Sequence, residues 1–179
     1  MKFRDRPEAA QKRLDALIEE MNGESDRAVA IVGAAWVEEA LSDAIQSVLQ
    51  SHSESWKRLF NGNGPLATFS ARIDLARLLG IVTDAIRSDL HIIRDIRNEF
   101  AHQIAHKTEH VKLSFETDHI RNKCLALKCV APEDKVGARH AFTRACAILN
   151  SDFDMLTIMG QGEEDYQGPR VFAQGVDPS

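Results

Sequence analysis

The sequence predicts an all-α protein, a single-domain bundle of about five or six helices. Its 179 residues correspond to about one domain at roughly 150 residues per domain. Hydrophobic residues form 44% and charged residues 27% of the chain, which is the balance of a globular protein and not of a disordered one. Apolar residues recur at helical spacing almost throughout the sequence.

The first two helices are predicted by apolar spacing and by their end signals. Apolar residues at 14, 17, 18 and 21 indicate a helix that an Asn-Gly pair at 22–23 ends. Ser25 is a suitable N-cap for a long second helix, because a serine side chain accepts a hydrogen bond from the first turn. The apolar stripe of this second helix includes Ala28, Val32, Ala35, Leu41, Ile45, Val48 and Leu49.

A short helix and two further helices are expected next. Trp56 and Phe60 lie in the short one, and the turn-forming sequence NGNGP at 61–65 follows it. The next helix runs from about residue 66 to residue 79. Thr83 can cap its successor, which carries apolar residues at 86, 90, 93 and 100 and gives way between 102 and 110.

The remaining chain is expected to complete the bundle. The alternating sequence VKLSF is compatible with a short β segment near residues 111–115. Asp118 can cap another helix, and Pro132 precedes a long last one. We therefore expect a helical domain over residues 1–159, followed by a flexible acidic tail over 160–179, where the sequence is rich in glycine and lacks periodicity.

The charge balance argues against direct DNA binding. Lys and Arg total 22 and Asp and Glu total 27, so the net charge is −5, whereas sequence-independent DNA binding normally needs a basic face. The sequence has no zinc-finger spacing and no clear helix-turn-helix with a basic recognition helix. It also lacks glycine-rich nucleotide-binding motifs, and no cofactor is expected.

Apolar runs and cysteines indicate a cytoplasmic protein without a membrane anchor. The longest apolar run, residues 28–37, is far shorter than the roughly 20 residues that span a bilayer. The start of the chain has no apolar signal-peptide core. Cys124, Cys129 and Cys146 are odd in number and form no C-x-x-C pair. Buried thiols in a reducing compartment are the simplest interpretation.

The stretch that carries chemistry is IRDIRNEFAHQIAH, residues 93–106. Arg97 falls on the apolar stripe of its helix, where a charge is costly unless it is paired or faces a cleft. Asn98 and His102 are four residues apart and share a helix face. Arg97 and His102 are five apart, which is about 140° around a helix of ~3.6 residues per turn. Their side chains converge only if the helix ends there or Arg97 reaches around it.

Two interpretations of Arg97 and His102 remain open. In the first, Arg97 grips a phosphate with its planar fork, His102 acts as general acid or base, and Asn98 orients one of them. RNA cleavage would then need no metal, because the 2′-OH supplies the nucleophile. In the second, Arg97 pairs with a carboxylate on a neighbouring helix and His102 caps the helix end. The candidate carboxylates are Glu38, Glu39 and Asp43. Spacing alone favours the second interpretation, since ion pairs inside bundles produce the same pattern.

Other polar clusters have simpler explanations. His102, His106 and His110 lie at i, i+4 and i+8 and could bind a transition metal on a continuous helix. Residues 107–109 resemble a helix exit, so a polar helix end is favoured over a metal site. Arg72 and Arg77 are expected to pair with Asp74 or Asp84.

The sequence RNEFAH, residues 97–102, resembles the signature of the HEPN superfamily, in which an Arg, a polar residue and a His lie near the end of a helix. This resemblance implies an all-helical fold, dimers whose motifs meet in a shared cleft, and metal-independent ribonucleases that serve as toxins or defence proteins.

A longer stretch resembles the mannitol operon repressor family. The segment GPLATFSARI at 64–73, the LLGIV at 78–82 and the region 114–118 fit that family's pattern, and the resemblance spans about residues 14–127. It implies a homodimeric regulator that acts through an unidentified protein partner without reading DNA directly. The alternative is a metal-independent endoribonuclease that uses Arg97 and His102, with RNA as its partner.

Overall fold

A computed structural model describes residues 18–19, 21, 24–49, 53–102 and 113–161. Within these ranges the chain forms helices joined by turns, and the expected all-α bundle is confirmed. Residues 18, 19 and 21 are helical. From residue 26 onward the α-helices are α1 (Asp26–Val48), α2 (Ser53–Phe60), α3 (Phe69–Leu78), α4 (Asp84–His102), α5 (Asp118–Leu125) and α6 (Ala138–Gln161), with a short 3-10 helix at Pro132–Asp134.

The two longest helices, α1 and α6, form the centre of the bundle. They approach closely at Gly33, where a Cβ atom would lie 3.3 Å from Cys146 Sγ, Met21 Sδ and Phe142 Cε1. The rings of Phe100, Phe115 and Phe142 then pack in a row, with centroids 5.3 and 5.2 Å apart. This row joins α4 and α6 into one core.

The buried face of α1 differs from the expected stripe. Val32 is 39% exposed and Ala35 is also exposed, although both were expected to be buried. The core side of the helix instead consists mainly of small residues, namely Val29, Ala30, Gly33, Ala34, Val37, Ala40, Leu41, Ala44 and Ile45. The faces of an alanine-rich helix differ little in hydrophobicity. The close approach of α6 therefore decides which face of α1 is buried.

The helix starts confirm two of the three expected caps. Ser25 Oγ accepts a hydrogen bond of 3.2 Å from the Ala28 N–H. Thr83 Oγ1 accepts one of 3.3 Å from the Ile86 N–H. The cap of α5 is Thr117 and not Asp118, which is the first helical residue and instead accepts from Arg121 at 2.7 Å.

Leu113, Ser114 and Phe115 form irregular backbone and a turn, so the short β segment near 111–115 is wrong for these residues. Their backbone donors bond to side chains instead of a neighbouring strand: Ser114 N–H donates to Thr117 Oγ1 at 3.1 Å and Phe115 N–H donates to Asp26 Oδ2 at 3.1 Å. Residues 111–112 lie outside the described part of the chain.

A buried carboxylate fixes the segment after α5. Asp89 of α4 is 0% exposed, and its oxygens accept hydrogen bonds from the backbone N–H groups of Lys128 (3.0 and 2.9 Å) and Cys129 (2.7 Å). The segment connecting α5 to α6 is therefore held against α4 by a side chain.

The ends of the proposed domain extend past the described ranges. Helix α6 continues to Gln161, whereas residues 162–179, most of the expected acidic tail, lie outside the description, as do residues 1–17. The domain boundary at residue 159 remains a prediction. Within the described helices, none is long and apolar enough to cross a membrane.

Candidate functional site

An open groove of about 510 Å³ lies between α1, the start of α3 and the second half of α4. Its walls carry both charged and hydroxyl side chains. They are Glu38, Ala67, Thr68, Phe69, Ser70, Arg94, Arg97 and Asn98. Two of the three candidate site residues, Arg97 and Asn98, thus face one cavity.

Arg97 is engaged by a carboxylate of the neighbouring helix. Its Nη2 donates to Glu38 Oε2 at 2.9 Å and its Nη1 donates to Asn98 Oδ1 at 3.3 Å. The side chains of Arg97 and Glu38 are 32% and 19% exposed. The expected ion pair with α1 is thus present, and Glu38 is the partner among the three candidate carboxylates.

Glu38 also bridges to Arg72. Its Oε1 lies 3.6 Å from Arg72 Nη1, so one carboxylate stands between two guanidinium groups. Arg72 was expected to pair with Asp74 or Asp84, and this was wrong. Arg77 does pair with Asp84, at 2.6 Å.

Arg72 is itself bound by several neutral acceptors. Its guanidinium donates to Ser42 Oγ at 2.8 Å and to the carbonyl oxygens of Leu66 (3.1 Å), Phe60 (3.1 Å) and Ala67 (3.4 Å). It therefore ties the turn between α2 and α3 to α1. Most of its donors therefore hold parts of the fold together, and Arg72 does not line the groove.

Arg94 is a site residue that sequence reasoning did not select. Its Nη1 donates to Ser70 Oγ at 2.7 Å, while its Nε and Nη2 donate to Asp95 Oδ1 at 3.2 and 2.8 Å. It precedes Arg97 by three residues, and residues so spaced share a helix face. This three-residue spacing from Arg97 is the feature of the sequence by which Arg94 could have been identified.

The third candidate, His102, is not brought to Arg97. It is the last residue of α4, it is exposed, and it does not line the groove. His106 and His110, the other two residues of the three-histidine metal alternative, lie outside the described residues. Among the described side chains, no group of three or more potential metal ligands occurs.

A second groove, of about 310 Å³, adjoins the first on the other side of Glu38. Its lining includes Glu39, Asp43 and Trp56, and the Trp56 ring stacks on Phe60 with centroids 3.6 Å apart. Partial burial raises the pKa of Asp43, and the carboxylates of Glu39 and Asp154 raise it further. Glu38 lines both grooves and Arg72 lines the second, so each groove carries both signs, but the lining charges are net positive in the first groove and net negative in the second.

The three cysteines are expected to be unreactive. None is in a disulfide. Burial raises the pKa of Cys124 to about 12, and burial also raises the pKa values of Cys129 and Cys146. Thiols of this kind stay protonated at neutral pH and are poor nucleophiles.

No protein-family model matches the sequence, and no curated protein matches it. One solved structure does: a chain of the X-ray structure of the MtlR-HPr complex from Escherichia coli, with a TM-score of 0.62 and 19% sequence identity. The similarity covers 80% of this chain and 99% of that chain. At this identity the comparison shows a shared fold, an all-helical bundle like that of MtlR.

Proposed function

We propose that the protein is a regulatory helical module, similar to mannitol operon repressors, that acts through a protein partner and does not read DNA itself. The observation that carries the proposal is its fold, which it shares with a chain from a complex that contains HPr. HPr, or a protein like it, is therefore the first partner to test.

The geometry of the site agrees with protein binding better than with catalysis. Arg97 is neutralised by Glu38 at 2.9 Å, and exposed His102 lies outside the groove. Two adjoining grooves of opposite net charge suit a folded partner whose surface carries both signs, since charge complementarity favours specific encounter. The net charge of −5 disfavours a role in which this chain covers DNA.

The test is a calorimetric titration of the purified protein with HPr from Escherichia coli, the HPr of the structurally similar complex. We expect saturable binding with a dissociation constant on the order of 1 µM, as for a weak and transient contact. The double variant Arg94→Glu/Asp43→Lys should weaken binding if the two grooves form the contact. Absence of heat and of NMR shifts at high protein concentration would refute an HPr-type partner.

A second candidate function is a metal-independent endoribonuclease of HEPN type. Arg97 and Asn98 line an open groove on the helix that ends at His102. In this proposal Arg97 clamps the phosphate, His102 acts as general acid or base, and Asn98 orients one of these two side chains. The 2′ oxygen loses its proton and attacks phosphorus, and the P–O5′ bond breaks as the 5′ oxygen leaves and is protonated. Arg97 would have to leave Glu38, and His102 would have to come from a rearranged helix end or a second subunit.

RNA cleavage in the presence of EDTA tests this candidate. Wild type should cut and Arg97→Ala and His102→Ala should not, with melting temperatures showing that both variants are folded. Failure to cut a varied set of RNA substrates would leave the protein-binding function as the supported one.

The resemblance to dimeric families further leads us to propose a homodimer, located in the cytoplasm. Light scattering after gel filtration should give a mass of twice the 20.0 kDa of one chain. A monomeric mass at micromolar concentration would contradict this proposal without affecting the fold.

A further inference from the structure

We infer that the groove between α1, α3 and α4 binds a carboxylate side chain of the protein partner, and that Glu38 occupies it in the unbound molecule as an internal competitor. The inference rests on the proposed protein-binding function and names the chemistry of the partner's anchor. The residues of this protein that would hold the carboxylate all line the groove: Arg94, Arg97, Asn98 and Ser70.

The two arginines retain donors for a ligand. A guanidinium carries five N–H donors in a planar fork that matches a carboxylate. Among the described residues, Arg97 donates two hydrogen bonds, to Glu38 and Asn98. Arg94 donates three, of which two go to Asp95 and one to Ser70. Each arginine can therefore donate to a further oxygen without abandoning all of its present partners.

The start of α3 adds to the positive potential of the same groove. Thr68, Phe69 and Ser70 line the wall, and they are the cap and the first residues of a ten-residue helix. The first N–H groups of a helix lack intrahelical partners, and its dipole favours an anion there. This contribution reinforces the arginine pair that defines the site.

A ligand can displace Glu38 from Arg97 without disrupting the fold. Its Oε2 contacts Arg97 at 2.9 Å, while its Oε1 lies 3.6 Å from Arg72. Arg72 is held by Ser42 and by three carbonyl oxygens, independently of Glu38. An incoming carboxylate can therefore take over Arg97 while Glu38 remains neutralised by Arg72.

The surroundings favour an isolated carboxylate over a nucleic-acid backbone. The adjoining groove carries Glu39 and Asp43, and the chain has a net charge of −5. The phosphates of a nucleic acid are spaced regularly along a continuous backbone and would meet these like charges, whereas a short acidic peptide can place one carboxylate in the groove and leave its other carboxylates in solvent. A basic residue beside the acidic one on the partner would fit the second groove.

Fluorescence anisotropy of labelled probes tests the inference without the natural partner. The probes are a capped tetraglutamate peptide, its tetraglutamine counterpart and a ten-nucleotide oligouridylate. Glu38→Gln should strengthen tetraglutamate binding about tenfold, since it removes the competitor. Arg97→Gln or Arg94→Gln should weaken binding at least about tenfold in that background.

Glu39→Gln is the matched control, because it removes the same charge one residue away, on the side of the second groove. We expect it to change the affinity less than about twofold, since its charge is exposed and screened. Tetraglutamine should not bind to any variant. If Glu38→Gln lowers the melting temperature, Glu38→Asp supplies a second variant, which keeps the charge but whose side chain, one methylene shorter, weakens the 2.9 Å contact with Arg97.

Each contrary outcome is specific. Equal effects of Glu38→Gln and Glu39→Gln would overturn the competitor role. Tighter binding of oligouridylate than of tetraglutamate would overturn the carboxylate anchor and favour the ribonuclease. No binding by any folded variant would overturn the site, whether or not HPr binds. The expected peptide pattern without HPr binding would support the site and reject only that partner.

Discussion

The Cys129 backbone N–H donates a hydrogen bond of 2.7 Å to the buried Asp89 carboxylate, although 40 residues separate the two. The same carboxylate accepts from the Lys128 N–H. Asp89→Ala would leave these donors without an acceptor, and we expect a loss of about 3 kcal/mol in the free energy of unfolding. Urea denaturation measures it.

Asp89→Asn should lower the free energy of unfolding less, because the amide oxygen still accepts a hydrogen bond from one of the two N–H groups. Asp84→Ala is the control, since Asp84 is 80% exposed and pairs with Arg77, whose side chain is 43% exposed. A small effect of Asp89→Ala would show that water replaces the carboxylate.

Gly64 is required by the turn between α2 and α3. A Cβ at this position would lie 2.3 Å from the Leu59 carbonyl oxygen and 2.6 Å from that of Arg58. Because these are backbone atoms, Gly64→Ala forces the turn to move, and we expect a loss of about 2 to 4 kcal/mol. Gly137→Ala is the matched control, with nothing within 4 Å of its Cβ. Comparable melting temperatures for the two variants would contradict this argument.

Arg72 links the turn between α2 and α3 to α1 through Ser42 and the carbonyl oxygens of Leu66 and Phe60. Arg72→Ala should cost about 3 kcal/mol, because it leaves partly buried acceptors and the Glu38 charge without this partner. Arg72→Lys should recover only part of the loss, since an ammonium lacks the planar fork. Full stability of the lysine variant in thermal unfolding would contradict the need for that fork.

Asp43 and Asp84 should affect the pH dependence of stability in opposite directions. The pKa of Asp43 is raised above 3.8, so its folded form holds the proton more tightly and its charge opposes folding at neutral pH. Asp43→Asn should raise the free energy of unfolding by about 0.3 kcal/mol at pH 7, a small value because solvent screens the partly exposed carboxylate. The gain should vanish below about pH 3.8, where wild-type Asp43 is protonated in both states.

The pKa of Asp84 is lowered from 3.8 by the hydrogen bond and charge of Arg77. Its contribution to stability is present above pH 3.8 and is lost as the pH falls through the lowered value. Asp84→Asn should therefore destabilise at pH 7 and not at low pH. Parallel stability–pH curves for the two asparagine variants would contradict these assignments.

Cysteine reactivity reports on the integrity of the core. Burial raises the pKa of Cys124 to about 12, and Cys146 is fully buried. We expect slow alkylation by iodoacetamide at pH 8 in the native protein and rapid alkylation of all three thiols in urea. Mass spectrometry counts the modified residues. Rapid labelling of Cys146 under native conditions would indicate that α6 opens readily.

The sequence allowed the helical architecture and the caps at Ser25 and Thr83 to be predicted, because periodicity and capping are local signals. The buried face of α1 was missed at Val32, because a helix rich in alanine has faces of nearly equal hydrophobicity. Choosing Glu38 as the partner of Arg97 required the packing of α4 on α1, which no local pattern records.

The groove between α1, α3 and α4 was predicted only in part from the sequence, for a related reason. Arg97 stood out as a charge on the apolar stripe of its helix, and Asn98 as a polar residue on the same helix face as His102. Arg94 and Ser70 meet through a hydrogen bond of 2.7 Å between two helices, and neither residue breaks a pattern in its own helix. Sequence spacing identifies residues on one helix more readily than residues that converge from two.

The close contact of α1 with α6 at Gly33 also governs when this molecule can fold during its synthesis. Helix α6, which covers this face of α1, begins at residue 138. A nascent chain therefore exposes the apolar side of α1 while about a hundred further residues are made, which takes on the order of ten seconds at about 5–20 residues per second. Ribosome-stalled chains that end before residue 138 should therefore be sensitive to protease and bind chaperones, and resistance should appear only after α6 emerges.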